Sequence, residues 1–172
     1  MRIIVAAALA ALVSPAAQAE VKSAAAGNFL VENKAVLAAE PAQAYAMLVR
    51  VGEWWNGQHS YSGDAANLSI EARAGGCFCE RLPASGGSVE HARVVFADPG
   101  RMLRLQGGLG PLQGDAVAGT LTWTLKAVPG GTEITQSYAV SGFIQMGGEA
   151  LAPMVDSAMA EQLSRLQARL AQ

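Results

Sequence analysis

Apolar and polar residues alternate along much of the chain between residues 28 and 140, and this alternation has the side-chain period of a β-strand. It is clearest over residues 117–128, where Leu121, Trp123 and Leu125 fall on one side and threonines on the other. Turns rich in glycine and proline separate the alternating stretches. The pattern predicts a first strand over residues 28–37, followed by strands over 68–74, 77–82, 89–96, 102–106, 117–128 and 133–140.

Helical spacing occurs in two segments, one short and one long. Glu40-Pro41 predicts the start of a short helix, because proline suits the first helical position. Residues 149–170 carry apolar side chains at intervals of three and four, which form one continuous stripe on a helix. Residues 52–63 show no clear period and are expected to form a second short helix and a loop.

The order of these elements predicts an α+β fold. We expect a curved antiparallel sheet of six or seven strands, with two short helices after the first strand and one long C-terminal helix. Such a sheet has one apolar face to bury, and the long helix is the large apolar element available to cover it. Because one helix cannot cover a curved sheet of this size completely, a cavity between sheet and helix is expected.

Composition and charge narrow the class of protein. A chain of 172 residues is enough for one domain, and 51% apolar with 15% charged residues excludes intrinsic disorder. A net charge of −2 argues against a nucleic-acid partner, since phosphate binding needs clustered Lys and Arg. The apolar surplus therefore needs another explanation, in an export signal, a cavity or both.

The first nineteen residues have the organisation of a secretory signal peptide. A positive start at Arg2 is followed by an uncharged apolar run over residues 3–13 and by the small-x-small sequence Ala17-Gln18-Ala19. We expect a cut between Ala19 and Glu20, a domain over residues 20–172, and a periplasmic or secreted location. An apolar N-terminal helix is the alternative. The run is about half of a membrane span, so no stable membrane anchor is expected.

Several short segments, taken with this order of elements, resemble one protein superfamily. The segments are Glu53-Trp54-Trp55, His59-Ser60-Tyr61-Ser62-Gly63, Ala66-Asn67-Leu68, Gly75-Gly76-Cys77-Phe78-Cys79-Glu80, Glu90-His91, Gly108-Leu109-Gly110-Pro111-Leu112 and Val155-Asp156. They resemble a bacterial secreted branch of the START-like or SRPBCC superfamily, which includes polyketide cyclase/dehydrase and lipid-transport-like proteins. The resemblance implies a helix-grip fold, in which the sheet wraps around the C-terminal helix, with a hydrophobic ligand cavity under that helix.

The sequence Cys77-Phe78-Cys79 is the most unusual feature of the predicted sheet. On a strand, both cysteines point to one face and Phe78 to the other. Three interpretations remain open: two small apolar side chains on a packed face, an intra-strand disulfide, or a zinc site with His59 and His91. In an extended strand the two Cα atoms lie about 6–7 Å apart, at or beyond the usual range for a disulfide.

The partner of His91 depends on the register of the hairpin that turns near Ser85-Gly86. In one register Cys79 opposes His91. In the other, Cys79 opposes Ala92 and Glu80 opposes His91, with Arg93 one step further along the same face. A Glu80–His91 pair in an apolar cavity could act as a general acid/base couple. The alternative is an ordinary cross-strand polar pair on the solvent side.

The other candidate ligand-binding residues are aromatic, polar or on the long helix. The full candidate set is Trp54, Trp55, His59, Tyr61, Glu80, His91, Arg93, Trp123, Tyr138, Met154 and Met159. The glycine-rich segment 107–114 lacks the Lys-Ser/Thr ending of a phosphate loop. It is expected to be a gate over the cavity mouth or a wide turn between strands.

These observations predict a protein that binds a small hydrophobic or amphipathic molecule, without a cofactor, metal ion or nucleic acid. Two alternatives belong to other classes. One is a cyclase or dehydratase that uses Glu80 and His91 as an acid/base pair. The other is a protein-interaction module similar to activators of a chaperone ATPase, although an exported protein would not meet a cytosolic chaperone. The oligomeric state is not predicted.

Overall fold

A single antiparallel sheet of eight strands forms the body of the computed structural model, which describes residues 18–172. Most of the predicted signal peptide, residues 1–17, lies outside the described residues. The strands are β1 (Gln18–Ala25), β2 (Asn28–Leu37), β3 (Leu68–Ile70), β4 (Cys77–Leu82), β5 (Gly87–Asp98), β6 (Met102–Gln106), β7 (Val117–Val128) and β8 (Gly131–Gly142). Their order across the sheet is β1-β2-β8-β7-β6-β5-β4-β3.

Two α-helices accompany the sheet: α1 (Pro41–Leu48) and α2 (Gly148–Leu170). Proline occupies the start of α1, as the sequence predicts. Short 3₁₀ turns follow α1 at Val51–Glu53, Gly57–His59 and Ala65–Asn67, and a fourth lies at Gly110–Gly114. Among residues 18–172, no helix combines the length and apolarity needed to cross a bilayer.

The predicted α+β class is confirmed, and the sheet differs from the prediction at its two edges. Strand β1 was not predicted, because its sequence QAEVKSAA has little alternation. Its backbone nevertheless pairs with β2, from Gln18 opposite Lys34 to Ala25 opposite Asn28. Strand β3 ends at Ile70 instead of residue 74, since Glu71 donates its backbone N–H to Cys77 and the chain then turns.

The core lies between the sheet and α2. Strand β2 buries every second residue, including Phe29, Val31 and Leu37, and β8 does the same with Ile134 and Tyr138. These two strands are neighbours in the sheet although they are far apart in sequence, with Asn28 opposite Ser141. The buried side chains of α2 that cover them are Leu151, Ala152, Met159, Leu163 and Leu166.

Strand β7 approaches a neighbouring loop closely at Gly119. The backbone N–H of Gly107 donates to the carbonyl of Gly119 at 3.0 Å. A Cβ atom at position 119 would lie 2.2 Å from the carbonyl oxygen of Gly107 and 2.6 Å from the hydroxyl of Tyr138. The absence of a side chain at this position therefore lets the hydroxyl of Tyr138 reach the loop.

We expect Gly119→Ala to lower the free energy of unfolding by about 1–3 kcal/mol, the usual cost of overpacking. Urea unfolding measures this loss. Gly114→Ala is a matched control, because a Cβ there has no heavy atom within 4 Å, and its effect should stay within about 0.5 kcal/mol. Equal stabilities of the two variants would contradict the close approach at Gly119.

Candidate ligand-binding site

A cavity of about 440 Å³ lies between the sheet and α2. Aromatic and aliphatic side chains form most of its wall, and α2 contributes Val155, Ala158 and Met159. The remaining lining residues are Trp55, Gln58, His59, Ser60, Tyr61, Leu68, Phe78, His91, Leu109, Gly110, Pro111, Leu112 and Tyr138. The cavity is therefore at the place where the sequence predicts incomplete cover of the sheet by one helix.

The segment after α1 forms one wall and is fixed to α2 by side-chain hydrogen bonds. The backbone N–H of Asn56 donates to Gln162 Oε1 at 2.8 Å, and Asn56 Nδ2 donates to Glu161 Oε1 at 2.6 Å. His59 Nε2 lies 3.2 Å from Glu161 Oε2. Trp55 donates its indole N–H to the carbonyl of His59 at 3.0 Å, which places its ring against the cavity.

Glu80 is completely buried, and three donors surround its carboxylate. The backbone N–H groups of Tyr61 and Ser62 donate to it, and His91 Nε2 lies 2.9 Å from Oε2. Burial alone would raise the pKa of Glu80, but the hydrogen bonds from Ser62, Tyr61 and His91 outweigh it and hold the pKa below its usual value. The carboxylate is therefore ionised at neutral pH, and it connects β4 to the segment that carries Tyr61.

A β-bulge brings His91 to this carboxylate. Phe78 pairs with Ala92, but the next residue of β4, Cys79, pairs with Glu90, so that His91 is the extra residue of β5. As a result His91 and Ala92 are both buried although they are consecutive. The bulge re-aims a side chain inward, which a regular strand would direct outward.

The predicted registers of this hairpin are both wrong, because neither allows for the bulge. Cys79 opposes Glu90 and neither His91 nor Ala92, and Glu80 opposes Val89. Glu80 and His91 nevertheless meet across the bulge, and the pair is buried, so the solvent-side interpretation is also wrong. The His91 ring lies between Phe78 and Tyr61, at centroid distances of 5.0 and 5.9 Å.

Cys77 and Cys79 form a disulfide, and their Cα atoms are 5.3 Å apart. Of the three interpretations left open by the sequence, the structure contains the intra-strand disulfide. A cysteine in a disulfide cannot ligate zinc as a thiolate, which removes the sulfur ligands of the proposed zinc site. Within residues 18–172, no group of three or more His, Cys, Asp and Glu side chains gathers in a way that could hold a metal ion.

The structure brings six of the predicted ligand-binding residues to the cavity wall: Trp55, His59, Tyr61, His91, Tyr138 and Met159. Glu80 lies directly behind His91. The other four lie elsewhere. Trp54 is in the core, where its indole N–H donates to the carbonyls of Met47 and Leu48.

Trp123, Arg93 and Met154 are the remaining three predicted residues that do not line the cavity. Trp123 is fully buried and does not line the cavity. The side-chain amide of Gln136 is oriented so that its oxygen accepts from the Trp123 indole N–H and its nitrogen donates to the carbonyl of Met159, both at 3.0 Å. Arg93 is on the solvent side, where it pairs with Glu90. Met154 is 49% exposed.

The sequence predicts the glycine-rich segment as a gate over the cavity mouth or a wide turn, but it did not identify Leu109 and Leu112, which line the wall. The hydroxyl of Tyr138 donates to the carbonyl of Gly107 and accepts from the N–H of Leu109, both at 2.9 Å. Burial raises the pKa of Tyr138 to about 12, although the Leu109 N–H opposes this. Tyr138 therefore remains a neutral phenol and fixes one end of the segment.

We expect Glu80→Gln to lower the free energy of unfolding by about 3 kcal/mol at pH 7, because it leaves buried donors facing an amide. The folded pKa of Glu80 lies below its unfolded value, so this stabilisation is complete above the unfolded pKa of about 4.3 and is lost as the pH falls through the folded pKa. Urea unfolding of both proteins from pH 7 to pH 3 should show the difference shrinking with acidity.

Glu90→Gln is the control, since Glu90 belongs to the same hairpin but is exposed and paired with Arg93. It should change stability by less than about 1 kcal/mol. A Glu80→Gln effect as small as that of Glu90→Gln, or one that does not depend on pH, would contradict the role given to Glu80.

We also expect thiol titration of the protein, purified under oxidising conditions and then denatured, to detect no free thiol. After reduction the same titration should detect both Cys77 and Cys79. Two thiols before reduction would show that the disulfide is absent.

Solved structures with the same fold have low sequence identity to this chain. A protein of Rhizobium leguminosarum is 17% identical with a TM-score of 0.60, and the match covers 91% of this chain and 99% of that one. CalU16 of Micromonospora echinospora is 14% identical with a TM-score of 0.56, covering 88% and 80%. The Aha1 dimer of Colwellia psychrerythraea is 16% identical with a TM-score of 0.56, covering 82% and 95%. These similarities show the fold.

No curated protein matches the sequence significantly. The family model described as "Polyketide cyclase / dehydrase and lipid transport" matches residues 28–171, from the start of β2 to the end of α2. The cavity and all of its lining residues fall inside the matched region. The chain is therefore a member of the polyketide cyclase/dehydrase and lipid-transport family within the SRPBCC superfamily.

Proposed function

We propose that the protein binds a small hydrophobic or amphipathic molecule in the cavity between the sheet and α2. The observation that carries this proposal is an apolar cavity of about 440 Å³ with one buried and oriented polar side chain, His91, in its wall. Sites for small ligands have this size and this combination of apolar walls with few polar groups. The family description names lipid transport, which agrees with such a ligand.

Removal of apolar surface from water supplies the main free energy of binding. A ligand that buries about 200 Å² of apolar surface gains about 5 kcal/mol before the costs of association. Trp55, Phe78 and Met159 offer the complementary surface. The aromatic rings favour a ligand that is flat or ring-containing over part of its length, because stacked and edge-on ring contacts add to the burial.

His91 selects the polar group of the ligand. Its Nε2 faces the ionised carboxylate of Glu80, so that the tautomer with its proton on Nε2 donates to Glu80 and presents Nδ1 as an acceptor. Nδ1 makes no hydrogen bond to any residue of the described part of the chain. We therefore expect the ligand to carry a hydroxyl or N–H donor next to its apolar portion.

A second candidate function rests on the same pair of residues. A histidine oriented by a buried carboxylate is an arrangement that supports general base catalysis. In a dehydration, His91 would accept a proton from the substrate at Nδ1 while Glu80 stabilises the resulting imidazolium, and the imidazolium would return this proton to the departing hydroxyl, which leaves as water. In a cyclisation, the imidazolium would return the proton to the cyclised product. A His91→Gln variant that keeps ligand uptake but loses turnover of a candidate substrate would support this function over simple binding.

We further propose that the protein is exported to the periplasm or beyond. The N-terminal pattern of residues 1–19 supports this location. The disulfide between Cys77 and Cys79 supports it independently, since disulfides persist in oxidising compartments and are rare in the cytosol.

Ligand uptake can be tested with a pair of identical substitutions on α2. Ala158 lines the cavity, whereas Ala168 is exposed further along the same helix. We expect the delipidated protein to bind a fluorescent fatty acid or an anilinonaphthalene probe. Ala158→Phe should weaken this binding at least about 10-fold by filling the cavity, a loss of about 1.4 kcal/mol, and Ala168→Phe should leave it unchanged.

Equal binding by the two variants would place the probe outside the cavity. Failure of the delipidated wild-type protein to take up fatty acid, sterol, polyketide and aromatic probes would overturn the proposed function. Native mass spectrometry of protein purified from its own host should show a bound molecule that Ala158→Phe excludes and Ala168→Phe retains.

A further inference from the structure

A partly buried polar cluster lies outside the cavity, between the first two strands and α2. Asn33 of β2 is completely buried, and its Nδ2 donates to Oδ1 of Asp156 at 3.3 Å. The side-chain oxygen of Asn33 is also buried and has no hydrogen-bond partner among residues 18–172. A buried amide oxygen without a donor is unfavourable, so this cluster lacks one hydrogen-bond donor.

The peptide bond that the sequence predicts to be cut lies beside this cluster. In the pairing of β1 with β2, Ala19 is opposite Asn33 and Glu20 is opposite Glu32. The backbone N–H of Glu20 is one of the hydrogen-bond donors that lower the pKa of the Asp156 carboxyl. Strand β1 precedes the family match, which begins at residue 28, so Glu20 lies outside the matched region whereas Asn33 and Asp156 lie inside it.

Asp156 has no positively charged side chain as a partner among residues 20–172. Burial raises the pKa of Asp156, the hydrogen bond from Asn33 opposes this, and the carboxylate of Glu20 raises the pKa further. The nearby lysines are engaged elsewhere: Lys22 with Glu20 and Glu32, at 2.6 and 3.7 Å. Lys34 pairs with Glu32 at 3.4 Å. Among residues 20–172, no ion pair includes Asp156.

We propose that cleavage between Ala19 and Glu20 completes the cluster, because the new α-ammonium group of Glu20 forms an ion pair with Asp156 and donates to Asn33 Oδ1. The cut is a hydrolysis by an export-associated peptidase: water adds across the bond, Ala19 leaves with a carboxylate and Glu20 gains the amino group. One amide N–H is thereby replaced by three N–H donors and a positive charge.

This ion pair ties the N-terminal residue of the processed chain to the helix that roofs the cavity. Asp156 follows Val155 directly, and Ala158 and Met159 are within one turn of it. All three cavity-lining residues of α2 therefore lie close to this ion pair in the helix. The inference rests on the proposed export and is independent of the ligand.

Four proteins test the pair. One begins at Glu20 and one keeps Ala19 as its first residue, each released from a fusion partner, and each is also made as Asp156→Asn. We expect the chain that begins at Glu20 to have a Tm higher by about 3 °C or more than the chain that keeps Ala19. Asp156→Asn should abolish this difference. Equal Tm values, or a difference that survives Asp156→Asn, would overturn the ion pair.

A measurement on the unsubstituted chain covers the case in which Asp156→Asn does not fold. NMR titration of the Glu20 amino group should give a pKa above the ordinary α-amino value of about 7.7–8.0, since the neighbouring carboxylate favours the charged form. An ordinary value would contradict the pair.

The mass of the intact protein secreted by its own host reports the cut separately. A first residue other than Glu20 would overturn the processing site and with it the inference. A cut at Glu20 together with equal Tm values would refute the ion pair alone and leave export standing.

Discussion

The buried carboxylate of Glu80 holds together the parts of the chain that form the cavity. It accepts hydrogen bonds from the backbone of Tyr61 and Ser62 and from the ring of His91. The segment after α1 and strands β4 and β5 are therefore joined at this one carboxylate. A carboxylate in such a place is stable only while all of its donors are present, so the positions of Tyr61 and His91 on the cavity wall are coupled.

The chemistry of the cavity follows from where its polar atoms are already engaged. The hydroxyl of Tyr138 uses both its donor and an acceptor site on the glycine-rich segment, and the indole N–H of Trp55 is bound to His59. His91 is different, because only one of its two ring nitrogens faces Glu80. Gln58, His59 and Tyr61 also line the cavity but are exposed, so buried polar recognition is concentrated at His91, which suits an amphipathic ligand more than a hydrocarbon.

The sequence was sufficient for the elements whose pattern is strong. The alternation in β2 and β7, the proline at the start of α1 and the apolar stripe of α2 predicted each element and the α+β class. It was insufficient at β1, whose sequence has little alternation and which is held by backbone pairing with β2. The register around His91 could not be predicted either, because a bulge adds one residue that a period of two does not reveal. Which aromatic residues face the cavity depended on that register and on the path of the loops.

The pairing of β2 with β8 has a consequence for how the chain is made. Asn28 meets Ser141, so the first long strand of the family region to leave the ribosome finds its main neighbour only when synthesis is nearly complete. Until then Phe29 and Val31 have neither the remainder of the sheet nor α2 to cover them. Contacts of such long range form slowly. A nascent or truncated chain that lacks β8 therefore exposes the apolar residues of β2, which makes it prone to aggregation. Such a chain depends on chaperones or on prompt degradation.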